Sequence, residues 1–454
     1  MGDVDFLVHK EDRDNVDQLL KAKGFTKRDG AEKQDYHWGY KKDIERPSER
    51  SSLAMTKEQK FFLQVLADYL HGKSTDVPEA DLDWHQLCEY ANSHTVGGIV
   101  YQQCKTALTA DMGLEEVNKA LAHEQNVACY YFIQNQNAYE ELKKIFWNEK
   151  IRFSSVKGLE VASAYPIPAL RTMGDLDIVM NRADRDRIHE PMLQNGYVLC
   201  DGGNEKHYVK GPVTVELHYA LAYGGEDVNT RRLDYFNAFW DHIVSEEKGR
   251  CYLDCNFHFL FLVWHLMKHL SNGGVGFRQF MDVAVTAAKW PLDWNQIERD
   301  AREIGMWEFL QNVLAFCKRW WNVDLPIAVE NVDDEFFEEA TQAVFSNGVF
   351  GFEKGERRWA ETAGKYMDFT NVPASLRPAA AVWRKVFISY DAMLTKTYCG
   401  FVKGRKYLLP LAWFYRIWYV AVHKRGRIRT WEKAIFSSQD VIDQRRRMME
   451  RWGI

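Results

Sequence analysis

Two aspartates one residue apart, in an apolar segment that follows a glycine, most constrain what this chain can fold into. The segment runs from Gly174 to Met180 and reads GDLDIVM. Such a run predicts a β-strand, and because strand side chains alternate between faces, Asp175 and Asp177 would point to the same side. Neighbouring carboxylates repel one another unless a cation lies between them. The motif therefore predicts a strand with a cation at one end.

A third carboxylate strengthens this interpretation. The segment from Pro212 to His218 alternates like a strand and includes Glu216. Oxygen ligands of this number and charge suit Mg²⁺, which proteins usually hold through one or two carboxylates and substrate phosphates. The three acids predict a metal-dependent phosphoryl or nucleotidyl transfer site, and the alternative is an ordinary strand end with solvated aspartates.

The order of elements around the acids is specific. A strand from Ile151 to Val156 leads into a turn at Lys157-Gly158, and a short helix from Leu159 to Tyr165 ends at the prolines that follow. Arg171, the acidic strand, a helix over residues 185–194, and a hairpin of strands 206–210 and 212–219 come next. We expect glycines 158 and 174 to let the backbone approach a phosphate closely.

This pattern resembles the nucleotidyltransferase superfamily that includes DNA polymerase β, and within it the uncharacterised nucleotidyltransferases of bacteria. The resemblance covers roughly residues 55–430. Two departures stand out: the superfamily usually has Gly-Ser in the first turn and Asp as the third acid. The matching residues are Lys157-Gly158, Tyr165-Pro166-Ile167-Pro168, Arg171, Asp175-Leu176-Asp177 and Glu216-Leu217-His218.

The resemblance implies an α+β fold, with a small mixed β-sheet core embedded in mostly α-helical N- and C-terminal regions. It implies an enzyme that moves a nucleoside monophosphate from an NTP to a hydroxyl acceptor and releases pyrophosphate. The acceptor would be a sugar, a small molecule, a protein or an RNA end. Catalysis and the binding of one or two Mg²⁺ ions would fall to Asp175, Asp177 and Glu216; nucleotide binding would fall to Lys157, Gly158, Arg171, Gly174, His218 and His265.

Several alternatives stay open. Arg171 would either neutralise phosphate charge or pair with a carboxylate of the fold. His265 and His269 have the i, i+4 spacing of zinc ligands, but packing within a helix explains them equally. Cys251, Cys255 and His258 offer a second, incomplete zinc set. The rival function is a catalytically silent nucleotide-binding or interaction protein, which the two departures from the superfamily pattern favour.

Net charge and cysteine content limit the possible partners and the cellular compartment. The net charge is −5 and the pI about 6.3, so nothing attracts the chain generally to nucleic acid. Eight cysteines lack disulfide-framework spacing, and Met1 leads directly into charged residues, so we expect reduced thiols in a cytoplasmic protein. The aromatic segment from Tyr407 to Val422 has basic flanks, which predicts either a peripheral membrane contact or a buried helix with a solvated basic end.

The N-terminus repeats the acidic strand. Residues 1–8 read MGDVDFLV and match residues 173–180 at an offset of 172, and later matches include Asp12-Arg13-Asp14 and Gly24-Phe25. This copy begins at the acidic strand, so it lacks the phosphate-binding turn. The offset places Ile44 where Glu216 would lie, so the copy also lacks a third acid. We interpret it as the remnant of a preceding copy or a late translation start.

These observations divide the chain into five parts. They are a truncated repeat over residues 1–50, an N-terminal helical region over 55–135, the nucleotidyltransferase core over 136–250, a helical domain over 251–330, and a C-terminal helical region with a basic tail over 331–454. Helices are predicted over 57–70, 84–93, 114–130 and 131–149, the first opened by a capping box of Thr56 and Gln59.

Overall fold

The fold is described from a computed structural model that forms two compact units, Ser52–Phe350 with Met449–Ile454, and Met1–Ser51 with Gly351–Met448. The five-part division predicted above stays a prediction. The structure describes residues 3–6, 25–27, 38–42, 54–77, 82–110, 112–200, 206–222, 229–272, 274–348, 387–388, 401–402, 404–423 and 439–454, with single positions 383, 390 and 393.

A three-stranded antiparallel sheet forms at the N-terminus. Its strands are β1 (Asp3–Phe6), β2 (Phe25–Lys27) and β3 (Trp38–Lys42), in the order β1-β3-β2. In this register Asp3 lies opposite Lys41 and Asp5 opposite Gly39. The first Asp-x-Asp motif is therefore part of a strand. The matches predicted at Asp12-Arg13-Asp14 and at Gly24 lie outside the described residues.

Helices make up most of the described chain outside the two sheets. Two predictions are confirmed, since the first helix spans Lys57–Leu70 and opens with the capping box of Thr56 and Gln59. The described helices are α1 (Lys57–Leu70), α2 (Trp84–Ser93), α3 (Gly97–Ala110), α4 (Glu115–Asn148), α5 (Gly158–Ala162), α6 (His189–Gln194), α7 (Thr230–Asn237), α8 (Cys255–Asn272), α9 (Phe277–Lys289), α10 (Trp294–Glu303), α11 (Trp307–Trp321), α12 (Asp334–Asn347), α13 (Leu409–His423) and α14 (Gln439–Trp452). Short 3₁₀ turns lie at Met112–Leu114, Pro168–Leu170, Arg182–Asp184, Phe239–His242 and Lys406–Leu408.

The helix predictions need two corrections between residues 97 and 149. The helices predicted over 114–130 and 131–149 are one helix, α4, because no glycine or proline interrupts its 34 residues. Helix α3 was not predicted, since its first turn contains Gly97 and Gly98. Those glycines let α3 approach α4 closely, because a Cβ at Gly97 would lie 2.7 Å from Cβ of Glu124.

The main sheet has seven strands of mixed direction. They are β4 (Phe153–Val156), β5 (Leu176–Met180), β6 (Val198–Cys200), β7 (Lys206–Lys210), β8 (Val213–His218), β9 (Ile243–Glu247) and β10 (Arg250–Leu253), in the order β6-β7-β8-β5-β4-β10-β9. Two pairs are parallel, β5 with β8 and β4 with β10, and the others are antiparallel. The predicted hairpin of β7 and β8 is confirmed. The structure adds a second hairpin, of β9 and β10, which was not predicted. The chain therefore has the α+β fold expected.

Burial differs between the two central strands, β5 and β8. Every residue of β5 is buried, because α4 covers one face with side chains such as Phe146. In β8 buried residues alternate with half-buried ones, so Glu216 and His218 share the more open face. The sheet thus combines a packed layer with a polar face at its centre.

The C-terminal segments have two different surroundings. Trp452 is buried within the main unit, where its ring contacts Phe280, Phe316 and Phe336. On α13, by contrast, Leu411 and Phe414 are exposed, so the prediction of a buried helix is wrong for that face. Among the described residues, no helix has the length and apolar character to cross a bilayer. The predicted peripheral membrane contact stays a prediction.

Candidate functional site

Parallel pairing of β5 and β8 brings two acids side by side at the centre of the sheet. Asp177 lies in register with Glu216, and His218 follows two residues later on the same face of β8. The His218 Nε2 atom is 2.8 Å from Oδ1 of Asp177 and 3.5 Å from Oε2 of Glu216. Ligand atoms of these three side chains all lie within 4.8 Å of one another. They form the one cluster of potential metal ligands found in the described part of the chain.

Asp175 completes the acidic set from the residue just before β5. Its carboxyl lies within hydrogen-bonding reach of Glu216. Loss of hydration, reinforced by the negative charge of Asp177, raises the pKa of Asp175. The pKa of Glu216 is raised by burial and then by the charges of both aspartates. The three predicted carboxylates therefore converge and repel one another, which is the electrostatic condition that a bound cation relieves.

Lys157 supplies a positive charge within this cluster. Its Nζ atom is 2.7 Å from Oδ1 of Asp177, the same oxygen that His218 contacts. Burial alone would raise the pKa of Asp177, but the Lys157 ammonium and the His218 imidazole hold that pKa down, at about 2. Asp177 is thus the anionic centre of the site.

The turn between β4 and α5 has a strained backbone. Lys157 has φ 59° and ψ −131°, a conformation that glycine adopts far more readily, and Gly158 also has a positive φ of 30°. A non-glycine residue in such a region costs about 1–3 kcal/mol and persists only where its surroundings fix it. A lysine therefore occupies a position whose backbone conformation favours glycine.

His258 on α8 is one group that fixes the turn, and sequence reasoning missed this role. Its Nε2 atom accepts a hydrogen bond from the backbone N–H of Lys157 at 3.0 Å. Burial lowers the pKa of His258 to about 4, so the ring is neutral and can accept. No local signal could have revealed the contact, because 101 residues separate the two partners.

Arg171 pairs with a carboxylate of the fold. Its guanidinium makes two hydrogen bonds to Asp282 of α9, Nε to Oδ1 at 2.8 Å and Nη2 to Oδ2 at 2.9 Å. Tyr165 donates to Oδ1 of the same carboxylate at 2.7 Å, and Arg278 lies 3.2 Å from Oδ2. Arg171, Asp282 and Tyr165 are buried, and the structure places Arg171 on Asp282, the second of the two alternatives. The network ties the segment before β5 to the helices.

Three further histidines lie near Glu216 or Lys157. His207 Nδ1 is 3.7 Å from Oε1 of Glu216. His265 and His269 contact each other through their Nε2 atoms, 3.0 Å apart, and burial, with the nearby Lys157 charge, lowers both pKa values. Within the described residues neither this pair nor Cys251, Cys255 and His258 belongs to a cluster of three ligands. The zinc predictions therefore gain no support.

Comparison with known families agrees with this geometry. A family model described as "Uncharacterised nucleotidyltransferase" matches residues 80–322, which is more than half of the chain. The chain belongs to this family. The match includes the Lys157-Gly158 turn, the acids and both strands that carry them, and it supports transfer from an NTP as the activity of the nucleotidyltransferase. No curated protein and no solved structure matches the chain.

Proposed function

We propose that this nucleotidyltransferase moves a nucleoside monophosphate from an NTP to a hydroxyl acceptor, with pyrophosphate as the leaving group and Mg²⁺ as the expected cofactor. One observation carries the proposal: Asp177 and Glu216 lie in register on parallel strands, beside Asp175 and a strained turn, in a chain of a nucleotidyltransferase family. A sheet gains nothing in stability from like charges placed next to each other, since such pairs are destabilising.

The side chains present fit a divalent cation. Asp175, Asp177 and Glu216 offer carboxylate oxygens, and the pKa values of Asp175 and Glu216 are raised by loss of hydration and by negative neighbours. A bound divalent cation would neutralise triphosphate charge and make the acceptor hydroxyl more acidic. The residue types and their mutual repulsion both favour that occupant.

The protein's own groups then have distinct tasks. Glu216, whose pKa is raised, is suited to take the acceptor's proton as its oxygen attacks the α-phosphorus. The new oxygen–phosphorus bond forms as the bond to the β-phosphate oxygen breaks, and pyrophosphate leaves in line. Lys157 would neutralise charge on the phosphates, and Gly158 and Gly174 leave room for their approach.

His218 and His265 have supporting tasks in this proposal. The His218 imidazole lies against Asp177 and directs its Nε2 atom into the cluster of acids. His265, on α8, lies close enough to Lys157 for the lysine's charge to lower its pKa further after burial. We propose that His265 contacts the nucleotide from the helical side, as the family resemblance implies.

A silent nucleotide-binding protein is the second candidate, and Lys157 favours it. Its ammonium is bonded to Asp177 at 2.7 Å, so the chain supplies a cation of its own to the acids. A lysine that stayed there permanently would neutralise the site without turnover. The two candidates therefore differ in whether Lys157 leaves Asp177 when nucleotide binds.

Pyrophosphate detection distinguishes the candidates. The full chain is incubated with each of the four NTPs, Mg²⁺ and candidate sugar, small-molecule, protein and RNA acceptors. We expect pyrophosphate release with at least one combination, its loss on chelation of the cation, and its loss in Asp177→Asn. Binding of a non-hydrolysable NTP without pyrophosphate release from any combination would instead support the silent protein.

A further inference from the structure

We propose that His218 is a metal ligand, and that the site it forms with Asp177 and Glu216 selects Mn²⁺ over Mg²⁺. This inference rests on the proposed function, because it concerns the cation of the same site. It goes beyond that function by naming a nitrogen donor and the class of ion that such a donor selects.

The spacing of the three side chains carries the first step. Two ligands at right angles on an octahedral ion, each about 2.1 Å from it, lie about 3.0 Å apart. His218 Nε2 lies 2.8 Å from the Asp177 oxygen and 3.5 Å from the Glu216 oxygen, and these values bracket that separation. Both distances from His218 thus suit one ion, and all three donor atoms lie within 4.8 Å of one another.

The strands explain why this spacing is built into the fold. Glu216 and His218 are two residues apart on β8, so their side chains leave the same face. Asp177 lies in register with Glu216 on the adjacent parallel strand. Backbone pairing rather than a flexible loop therefore holds the three donors together, which is the kind of support that metal sites require.

Donor chemistry carries the second step. Imidazole nitrogen suits the transition metals, whereas Mg²⁺ takes oxygen ligands and gives up its water reluctantly. Two carboxylates and the phosphate oxygens of a nucleotide suit Mn²⁺ as well as Mg²⁺. A site with one imidazole among carboxylates therefore favours Mn²⁺ of the two, because Mn²⁺ accepts both donor types.

His207 provides a matched control. It also lies beside Glu216, with Nδ1 3.7 Å from Oε1, but it is not part of the three-residue cluster. Replacing either histidine by asparagine removes one imidazole from the neighbourhood of the same glutamate. Only the replacement at His218 removes a proposed ligand.

The test measures cation binding to the full chain without nucleotide, from the electron paramagnetic resonance signal of free Mn²⁺. We expect Mg²⁺ to displace bound Mn²⁺ only when the Mg²⁺ concentration exceeds the Mn²⁺ concentration by more than about tenfold. His218→Asn should weaken Mn²⁺ binding about 10- to 100-fold, with much less effect on Mg²⁺, as expected for loss of a nitrogen donor. His207→Asn should leave both affinities within about threefold.

A spectroscopic signature makes the outcome independent of any variant's folding. Pulsed electron paramagnetic resonance on the wild-type protein loaded with Mn²⁺ should show coupling between the Mn²⁺ electron spin and an imidazole nitrogen. Equal affinity for the two ions, or bound Mn²⁺ without nitrogen coupling, would overturn this inference and leave the proposed function standing. Failure of the wild-type protein to bind either ion would overturn both.

Discussion

The Asp-x-Asp motif occurs twice in this chain, in two sheets that pair it differently. In the N-terminal sheet, β1 pairs antiparallel with β3, which places Asp3 opposite Lys41 and Asp5 opposite Gly39. In the main sheet, β5 pairs parallel with β8, and Asp177 lies beside Glu216. The first register places a lysine and a glycine opposite the two aspartates, whereas the second places like charges next to each other.

The difference shows that two aspartates on a strand do not by themselves make a site. What distinguishes the main sheet is the neighbouring strand, which contributes both Glu216 and His218. The Lys157 ammonium, at the strained turn after β4, adds a positive charge beside Asp177. In the main sheet the site depends on the pairing of strands at least as much as on the motif.

The largest expected effect tests this contrast directly. Asp175→Asn combined with Asp177→Asn should reduce nucleotide transfer by about 10³-fold or more, because the cation loses the carboxylates that would hold it. The matched control is Asp3→Asn combined with Asp5→Asn, which should leave transfer unchanged. Release of labelled pyrophosphate measures both. Equal losses in the two double variants would break the comparison.

A second experiment asks what holds the acidic strand of the main sheet in place. Arg171→Met should lower the free energy of unfolding by about 3–5 kcal/mol, because it leaves Asp282 buried without its main counter-charge. Lys119→Met removes the exposed ion pair with Glu115 and should leave the denaturation midpoint unchanged. Guanidinium unfolding measures both. An Arg171→Met protein of normal stability with a raised KM for NTP would assign Arg171 to the nucleotide instead.

A smaller effect is expected at low pH, where the protonation of His94 lowers the stability of the fold. Burial lowers the pKa of His94 to about 3, against about 6.5 in an unfolded chain. Below pH 6.5 the unfolded chain binds a proton that the folded protein excludes, so the stability due to neutral His94 is lost as the pH falls. The stability difference between wild type and His94→Gln should therefore shrink by about 1.4 kcal/mol per pH unit from pH 6 to 4. Parallel curves from urea titrations would contradict the burial of a neutral ring.

The smallest effect concerns backbone strain in the turn. Lys157→Met and Lys157→Gly both remove the ammonium from Asp177, but only glycine adopts φ 59° readily. The glycine variant should therefore be more stable than the methionine variant by about 1 kcal/mol, as judged by thermal unfolding. If methionine is the more stable residue, the turn is not strained.

Local patterns predicted the parts of the fold that neighbouring residues determine. The capping box of Thr56, the strand from Leu176 to Met180 and the hairpin around Gly211 all depend on residues a few positions apart. Polar alternation on β8 also identified Glu216 as the third acid. These features were readable because turn chemistry and strand periodicity act over short distances.

Contacts between distant residues were not predictable in the same way. The bonds of His258 to the Lys157 backbone and of Arg171 to Asp282 join residues more than 100 positions apart. The role of Gly97 and Gly98 was likewise not predictable, because it depends on the close approach of α3 to α4, another helix. The β9–β10 hairpin was missed because β9 is exposed along nearly its whole length and shows no alternation of apolar and polar residues.

The register of β8 has a consequence for how this segment can change over time. Shifting a strand by one residue exchanges its two faces. A single inserted or deleted codon between the hairpin turn at Gly211 and Glu216 would put Val215 or Leu217 beside Asp177 and direct the polar side chains into the packed layer. Descendants of this chain that keep the site should therefore vary here by replacement, and conserve the length of the segment even where they alter its composition.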